Sequence, residues 1–316
     1  SIVDFLNKVI KNEKISKLSL TSLSSVDNGI IISLTSKVSK KLIGFIPVQF
    51  EREGEVVSAL IKSKPLDKEV YKGLHFMASN INIELPDLIV NHADNLEYKN
   101  CHLKELELYE LLEKLDLNIS PRLYGAFDDE KREVYLIVNE LLDSKELVLF
   151  NSENHPERWE ENNIFTAIKG INDFHLKSKK EVSNISSIDT FQATNSKALY
   201  EKLIDMIINE SESNDNIESG RLLSEYLVDL EVQPQLEKTI IHNDYNPRNI
   251  AIRKNGDLCV YDWELSVIGL PHRDIVEFLS FTLNEDFTKE ELLKYLKYHY
   301  ELNSESNVSW DNWKEG

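Results

Sequence analysis

The sequence predicts an α+β chain of two lobes, an antiparallel, β-rich N-lobe over residues 1–142 and a mainly helical C-lobe over residues 143–316. Three observations carry this. Apolar runs broken by short polar segments fill residues 29–64 and recur as a pair at 121–142. Beyond Leu142 the apolar spacing becomes helical. One further hairpin signal, Asn255-Gly256 between the runs 250–253 and 258–261, interrupts the helical part.

In chain order, residues 1–29 begin as an amphipathic helix, and the Ser/Thr-rich run 18–25 reads as a first strand. The segments GIIISLT, KLIGFIPVQF and EVVSALIKSK read as strands, separated by SKVSKK and REG. Residues 67–79 and 85–95 read as helices. In 102–115, Leu108, Leu111, Leu112 and Leu115 fall at helical spacing. Pro121 opens a hairpin of RLYGAF and REVYLIVNEL around DDEK. Helices are expected at 157–175, 196–209 and 221–230, with 210–219 as an acidic connector and Pro234 as a break. Helices return at 275–283 and 289–300. The final eight residues, SWDNWKEG, read as the start of a helix, which raises the expectation of an additional segment in a longer polypeptide.

Composition narrows the function classes. Of 316 residues, 36 are basic and 55 acidic, for a net charge of −19. That balance disfavours nucleic acid and anionic membrane as partners, since both require basic patches. It suits a cationic small molecule. No apolar run reaches the length of a membrane span. Two cysteines far apart in sequence, Cys101 and Cys259, fit reduced thiols in a cytoplasmic chain.

The densest chemistry lies in residues 241–278. A two-residue Asn255-Gly256 turn would set Lys254 opposite Asp257 and Asn249 opposite Asp262. Side chains so paired stand roughly 4.5–5.5 Å apart, close enough to share a divalent cation through oxygen. Asp244 lies five residues before Asn249, on the loop entering the hairpin. The string His242-Asn243-Asp244-Tyr245-Asn246-Pro247-Arg248-Asn249, followed by Asp262-Trp263-Glu264, fits HxDxxxxN and its partner aspartate. This segment resembles the aminoglycoside phosphotransferase and choline kinase superfamily, which has a bilobal protein-kinase-like fold.

The resemblance implies roles residue by residue. Asp244 would be the catalytic base, Asn249 and Asp262 the Mg²⁺ ligands, and His242 a brace for the loop. Glu264, where protein kinases place Gly, resembles the second carboxylate of choline kinases and would help hold metal. Asp274 would cap the next helix and anchor the loop. Ser58-Ala59-Leu60-Ile61-Lys62 resembles the strand ending in the phosphate-binding lysine. Lys64 lies on the same strand face, so periodicity leaves both open while the pattern favours Lys62. Glu105, four residues before Tyr109, would be its partner, with Glu107 the alternative.

No glycine-rich loop is evident. Residues 24–29 and 36–41 both offer a turn, and 36–41 is preferred, with Ser36, Ser39 and Lys40 or Lys41 replacing amide contacts. Asn139, Glu140 and Leu141 resemble the hinge that would bind adenine. His175 reads as core. Tyr245 and Trp263 read as packing residues that could instead cradle a quaternary ammonium. Arg248 would meet a phosphate or an acidic group. The implied function is phosphorylation of a small-molecule hydroxyl with ATP (or GTP) and Mg²⁺, the acceptor pocket being shaped by residues 180–234. The alternatives are a catalytically weak pseudokinase module and a kinase-like transferase acting on a protein.

Overall fold

The computed structural model describes residues 2–10, 15–21, 29–229, 236–303, 308–314 and 316. Its N-terminal half is built on a five-stranded antiparallel sheet of order β1-β2-β3-β5-β4. The strands are β1 (Ile15–Leu20), β2 (Gly44–Arg52), β3 (Glu55–Ser63), β4 (Leu123–Asp129) and β5 (Val134–Glu140). The β2–β3 register pairs Arg52 with Glu55, which leaves a two-residue turn. Glu53 and Gly54 both have positive φ there (52° and 88°), the conformation that matches the twist of a hairpin.

Strand alternation in β5 divides its side chains between two cores. Val138 joins Leu6, Val9, Val48, Phe50 and Ile61 under α1 (Ile2–Val9), whereas Ile137 faces the larger core below. Gly125 of β4 pairs with Ile10, where a Cβ would lie 2.1 Å from the Val9 carbonyl oxygen. Only glycine permits that approach.

The segment GIIISLT, read as a strand, forms α2 instead (Gly29–Val38). Three consecutive isoleucines suggest a strand, yet the buried positions are Ile32 and Thr35, at helical spacing. The helix is held against α3 (Asp67–Ser79), whose Gly73 faces Leu34. Tertiary packing overrides β propensity here. After α4 (Leu85–Asn91), α5 (Cys101–Lys114) buries Leu108, Leu111 and Leu112 in the large core.

The C-terminal half holds β6 (Leu147–Leu149), α6 (Glu161–Ser178), α7 (Lys197–Glu210), α8 (Asn214–Asp229), β7 (Thr239–Ile241), β8 (Ile250–Arg253), β9 (Leu258–Val260) and β10 (Val267–Gly269). α9 (His272–Thr282), α10 (Lys289–Leu302) and the short α11 (Trp310–Trp313) follow. Its strands form two small sheets, β6-β8-β9 and β10-β7. The large core runs through α5, α6, β8, β9 and α9, with Phe174, Tyr245, Trp263 and Phe278 fully buried.

Several boundaries differ from expectation, two of them for a clear local reason. α6 starts at Glu161 because Pro156–Arg158 forms a separate 3₁₀ turn. The acidic connector shrinks to residues 211–213, since α8 begins at Asn214. There the Ser213 hydroxyl accepts from the Asn216 amide at 3.4 Å, and Asp215 suits the positive helix start. Polarity concealed a cap and an exposed first turn. No described helix is long and apolar enough to cross a membrane.

Candidate active site

The β8–β9 register is one residue away from the expected one. Ile250 pairs with Val260 and Ile252 with Leu258, so Asn249 faces Tyr261 and not Asp262. The loop has three residues: Gly256 donates back to Arg253, and its φ of 89° supplies the left-handed step of a bulged turn. Asp262 lies beyond the ladder in left-handed backbone (φ 66°), which turns the chain into the short helical segment Trp263–Leu265. Asn243 is likewise left-handed (φ 64°). Non-glycine residues held in this region often mark functional sites.

The loop carrying Asp244 is fastened from below. Asp274 accepts from the His242 and Asn243 amides at 2.8 Å each and from His175 Nε2 at 2.9 Å. It makes no cap hydrogen bond; it sits inside the first turn of α9, which starts at His272. Burial opposes its ionisation, but His175 and the loop donors outweigh this and hold it below the ordinary carboxylate value. His242 also contacts the Tyr261 carbonyl at 3.0 Å through Nε2, which ties the loop to the end of β9.

Asp244 is oriented by its own loop. Asn246 Nδ2 donates to Oδ1 at 2.7 Å and Asn249 Nδ2 to Oδ2 at 2.6 Å. Arg248 Nη2 reaches Oδ1 at 3.4 Å while Nη1 meets Glu153 at 3.3 Å. Oδ2, with a single donor, keeps acceptor capacity for a hydroxyl proton. Because the Asn249 amide nitrogen is committed to Asp244, its oxygen points the other way. Asn249 and Asp262 both line the central cleft and offer it the hard oxygen donors that suit Mg²⁺.

Opposite them, β3 presents Lys62, and the residue just past its end is Lys64. Lys62 is paired to Glu105 and stands 3.5 Å from Asp262. Lys64 lies 2.6 Å from the other oxygen of Glu105 and contacts Glu264. Burial works against both lysines, yet the surrounding carboxylates raise them above their ordinary value. Burial pushes Glu264 upward against the pull of Lys64. Oxygens of Glu105, Asp262 and Glu264 lie within 4.8 Å of one another, so this is a knot of like charge offset by two cations. Glu264, expected as a metal ligand, is 6% exposed and contacts Lys64, and its oxygen stays close enough to Asp262 and Glu105 for the three to share a cation. Glu107 turns away to Ser187.

The cleft has a volume of about 460 Å³, within the range of small-ligand sites. Asn139, Glu140 and Leu141 border it, with Lys62, Tyr109 and Asp262. The Leu141 amide donates to Ser58 and that of Glu140 to Arg122. The buried Asn139 amide has no partner. Glu140 forms a two-pronged ion pair with Arg253 at 2.7 and 2.8 Å, a contact the sequence reading missed because it joins residues 113 apart. The preferred phosphate turn is not at the cleft. Ser36 lies in the last turn of α2, Ser39 hydrogen-bonds Glu69, and Lys41 pairs with Glu69 and Glu133. Lys40 does not line the cleft either. Thr21 and Gly29 do, flanking 22–28, so most of the alternative turn lies outside the described residues.

Tyr245 and Trp263 are fully buried, their polar atoms donating to the Ala167 and Val260 carbonyls. Neither presents a face to a ligand, which removes the proposed ammonium cradle.

Comparison with known proteins agrees with this geometry. A family model described as a phosphotransferase enzyme family matches residues 197–306, the segment holding Asp244, Asn249 and Asp262. Fold and matched segment therefore point the same way as the motifs, toward kinase-fold phosphotransferases, with the fold itself shared by the solved structures that follow. A candidate aminoglycoside phosphotransferase from Ralstonia eutropha has a similar structure, with TM-score 0.60 and 14% identity over 99% of this chain and 82% of that one. An aminoglycoside-3'-phosphotransferase of type VIII gives 0.51 and 15% over 95% and 92%. The AMP-bound spectinomycin phosphotransferase gives 0.52 and 12% over 99% and 84%. No curated protein matches the chain.

Proposed function

We propose that the chain transfers the γ-phosphoryl group of ATP to a hydroxyl of an amine-bearing small molecule, with Mg²⁺ as cofactor. One observation carries the reading: Lys62, Asn249, Asp262 and the 139–141 segment border a single cleft, and Asp244 is hydrogen-bonded to one of them. In this reading the 139–141 edge receives the base and Lys62 meets the α/β phosphates. Asn249 and Asp262 would hold Mg²⁺, which when bound neutralises phosphate charge. Asp244 accepts the acceptor proton as the new O–P bond forms and the bond to the β-phosphate oxygen breaks, releasing ADP.

The acceptor belongs on the Asp244 side, beside Tyr98, Tyr200 of α7 and Glu277. Burial is the main cause that raises the Tyr98 hydroxyl, and the charge of Asp244 and the proximity of Tyr200 add to it. Glu277 accepts from Asn246 at 3.1 Å, and burial raises it too. Two carboxylates at this end favour a cationic acceptor. Both cysteines are buried and free, which suits a cytoplasmic setting where ATP is plentiful.

Thermal-shift titration with ATP or GTP, with and without Mg²⁺, tests nucleotide binding. A panel of aminoglycosides, amino alcohols and sugars tests transfer. Binding without transfer to any of them would favour a pseudokinase module, and neither would end the assignment. Asp244→Asn is expected to cut turnover by at least about a hundredfold with nucleotide affinity nearly unchanged. Equal loss of both would show that Asp244 is misassigned.

A further inference from the structure

β3 and the residue that follows it deliver two lysines to one carboxylate. Positions 62 and 64 share a strand face, and Glu105 uses one oxygen for each. Exposure separates them. Lys62 lines the cleft, whereas the Lys64 side chain is 1% exposed and takes no part in the lining. Lys64 therefore acts only through its neighbours, Glu105 and Glu264.

We propose that Lys64 is a positioning residue that frees Lys62 for the triphosphate and fixes the turn that carries Asp262. This rests on the nucleotide reading above. Glu105 is fully buried. With Lys62 as its sole cation, each move of Lys62 toward a phosphate would strip a buried charge of its partner, which opposes the move. Lys64 contacts the other oxygen of Glu105 at 2.6 Å, so Glu105 would keep a cation when the Lys62 ammonium moves. Its second contact, to Glu264, ties β3 and α5 to the 263–265 turn. Asp262 starts that turn in left-handed backbone, and an anchor two residues on holds it 3.5 Å from Lys62. Glu264 thus serves as the anchor of the turn, which leaves Asn249 and Asp262 as the oxygen donors of the cleft.

The test is binding by calorimetry, with Mg·AMP-PNP and adenosine as probes. Wild-type binding of Mg·AMP-PNP tests the nucleotide reading separately from Lys64. In Lys64→Met, affinity for Mg·AMP-PNP is expected to fall about tenfold while adenosine affinity holds, because only phosphate contacts involve Lys62. Adding Lys62→Met should then cost much less than it does in the wild type, the non-additivity of residues working as a unit. A merely structural role would weaken both probes together, or neither, and either result overturns the proposal. If Lys64→Met does not fold, Glu264→Gln keeps the volume and removes one partner. It should raise the Mg²⁺ concentration for half-maximal AMP-PNP binding about threefold or more, the loss of one modest charged contact. An unchanged midpoint overturns the proposal.

Discussion

Asp274 shows how a single side chain holds this site together. It takes two main-chain N–H groups of the loop and one imidazole, all buried. Truncation by Asp274→Ala would leave three donors without an acceptor. A loss of about 3 kcal/mol is expected, read as a lower urea midpoint, because unpaired buried polar groups cost that order. Sequence placed Asp274 near a helix start but read a cap, since the helix begins two residues earlier. Lys62, Lys64 and Glu105 were all legible as a set from strand face and helix position. Periodicity did not tell which lysine faces the cleft, because positions 62 and 64 share a strand face, but the Ala-Leu-Ile-Lys pattern favoured Lys62, the one that lines it.

At the scale of elements, the β8–β9 hairpin was read correctly as a hairpin and misread by one residue. Asn-Gly favours a two-residue turn, but the chain adopts a three-residue loop with Gly256 at φ 89°. Nothing lies within 4 Å of a Cβ built there, so Gly256→Ala tests backbone strain alone. About 1 kcal/mol of destabilisation is expected by equilibrium unfolding. The shift did not remove Asp262 from the cleft, because its position depends on the left-handed turn after β9. α2 failed as a strand for a related reason: isoleucine repeats carry no period of their own, and α3 chose the helix. The phosphate turn was sought where Glu69 and Glu133 already occupy the charge of Lys41.

Over the whole molecule, acid should unfold the chain partly through its buried histidines. Burial drives His272 down to about 4, beside His299 and Trp313. The unfolded chain would bind that proton at the ordinary 6.5. Stability is thus full above pH 6.5 and declines as pH falls toward 4, where the linked loss approaches about 3 kcal/mol. Urea midpoints measured between pH 7 and 4 should fall accordingly, and His272→Phe should flatten the slope.

The sequence by itself determined the features on which the proposed chemistry rests: an aspartate loop, an Asn and an Asp around a hairpin, and a lysine-bearing strand before a glutamate-bearing helix. Such features are local, set by spacing and residue type. Only the tertiary structure decided that Glu264 belongs to Lys64, that Glu140 binds Arg253, and that Tyr245 and Trp263 face inward. Those outcomes depend on which charges and rings share a buried space after distant segments pack. Burial then compels each charge to find a partner, and no spacing along the chain reveals which.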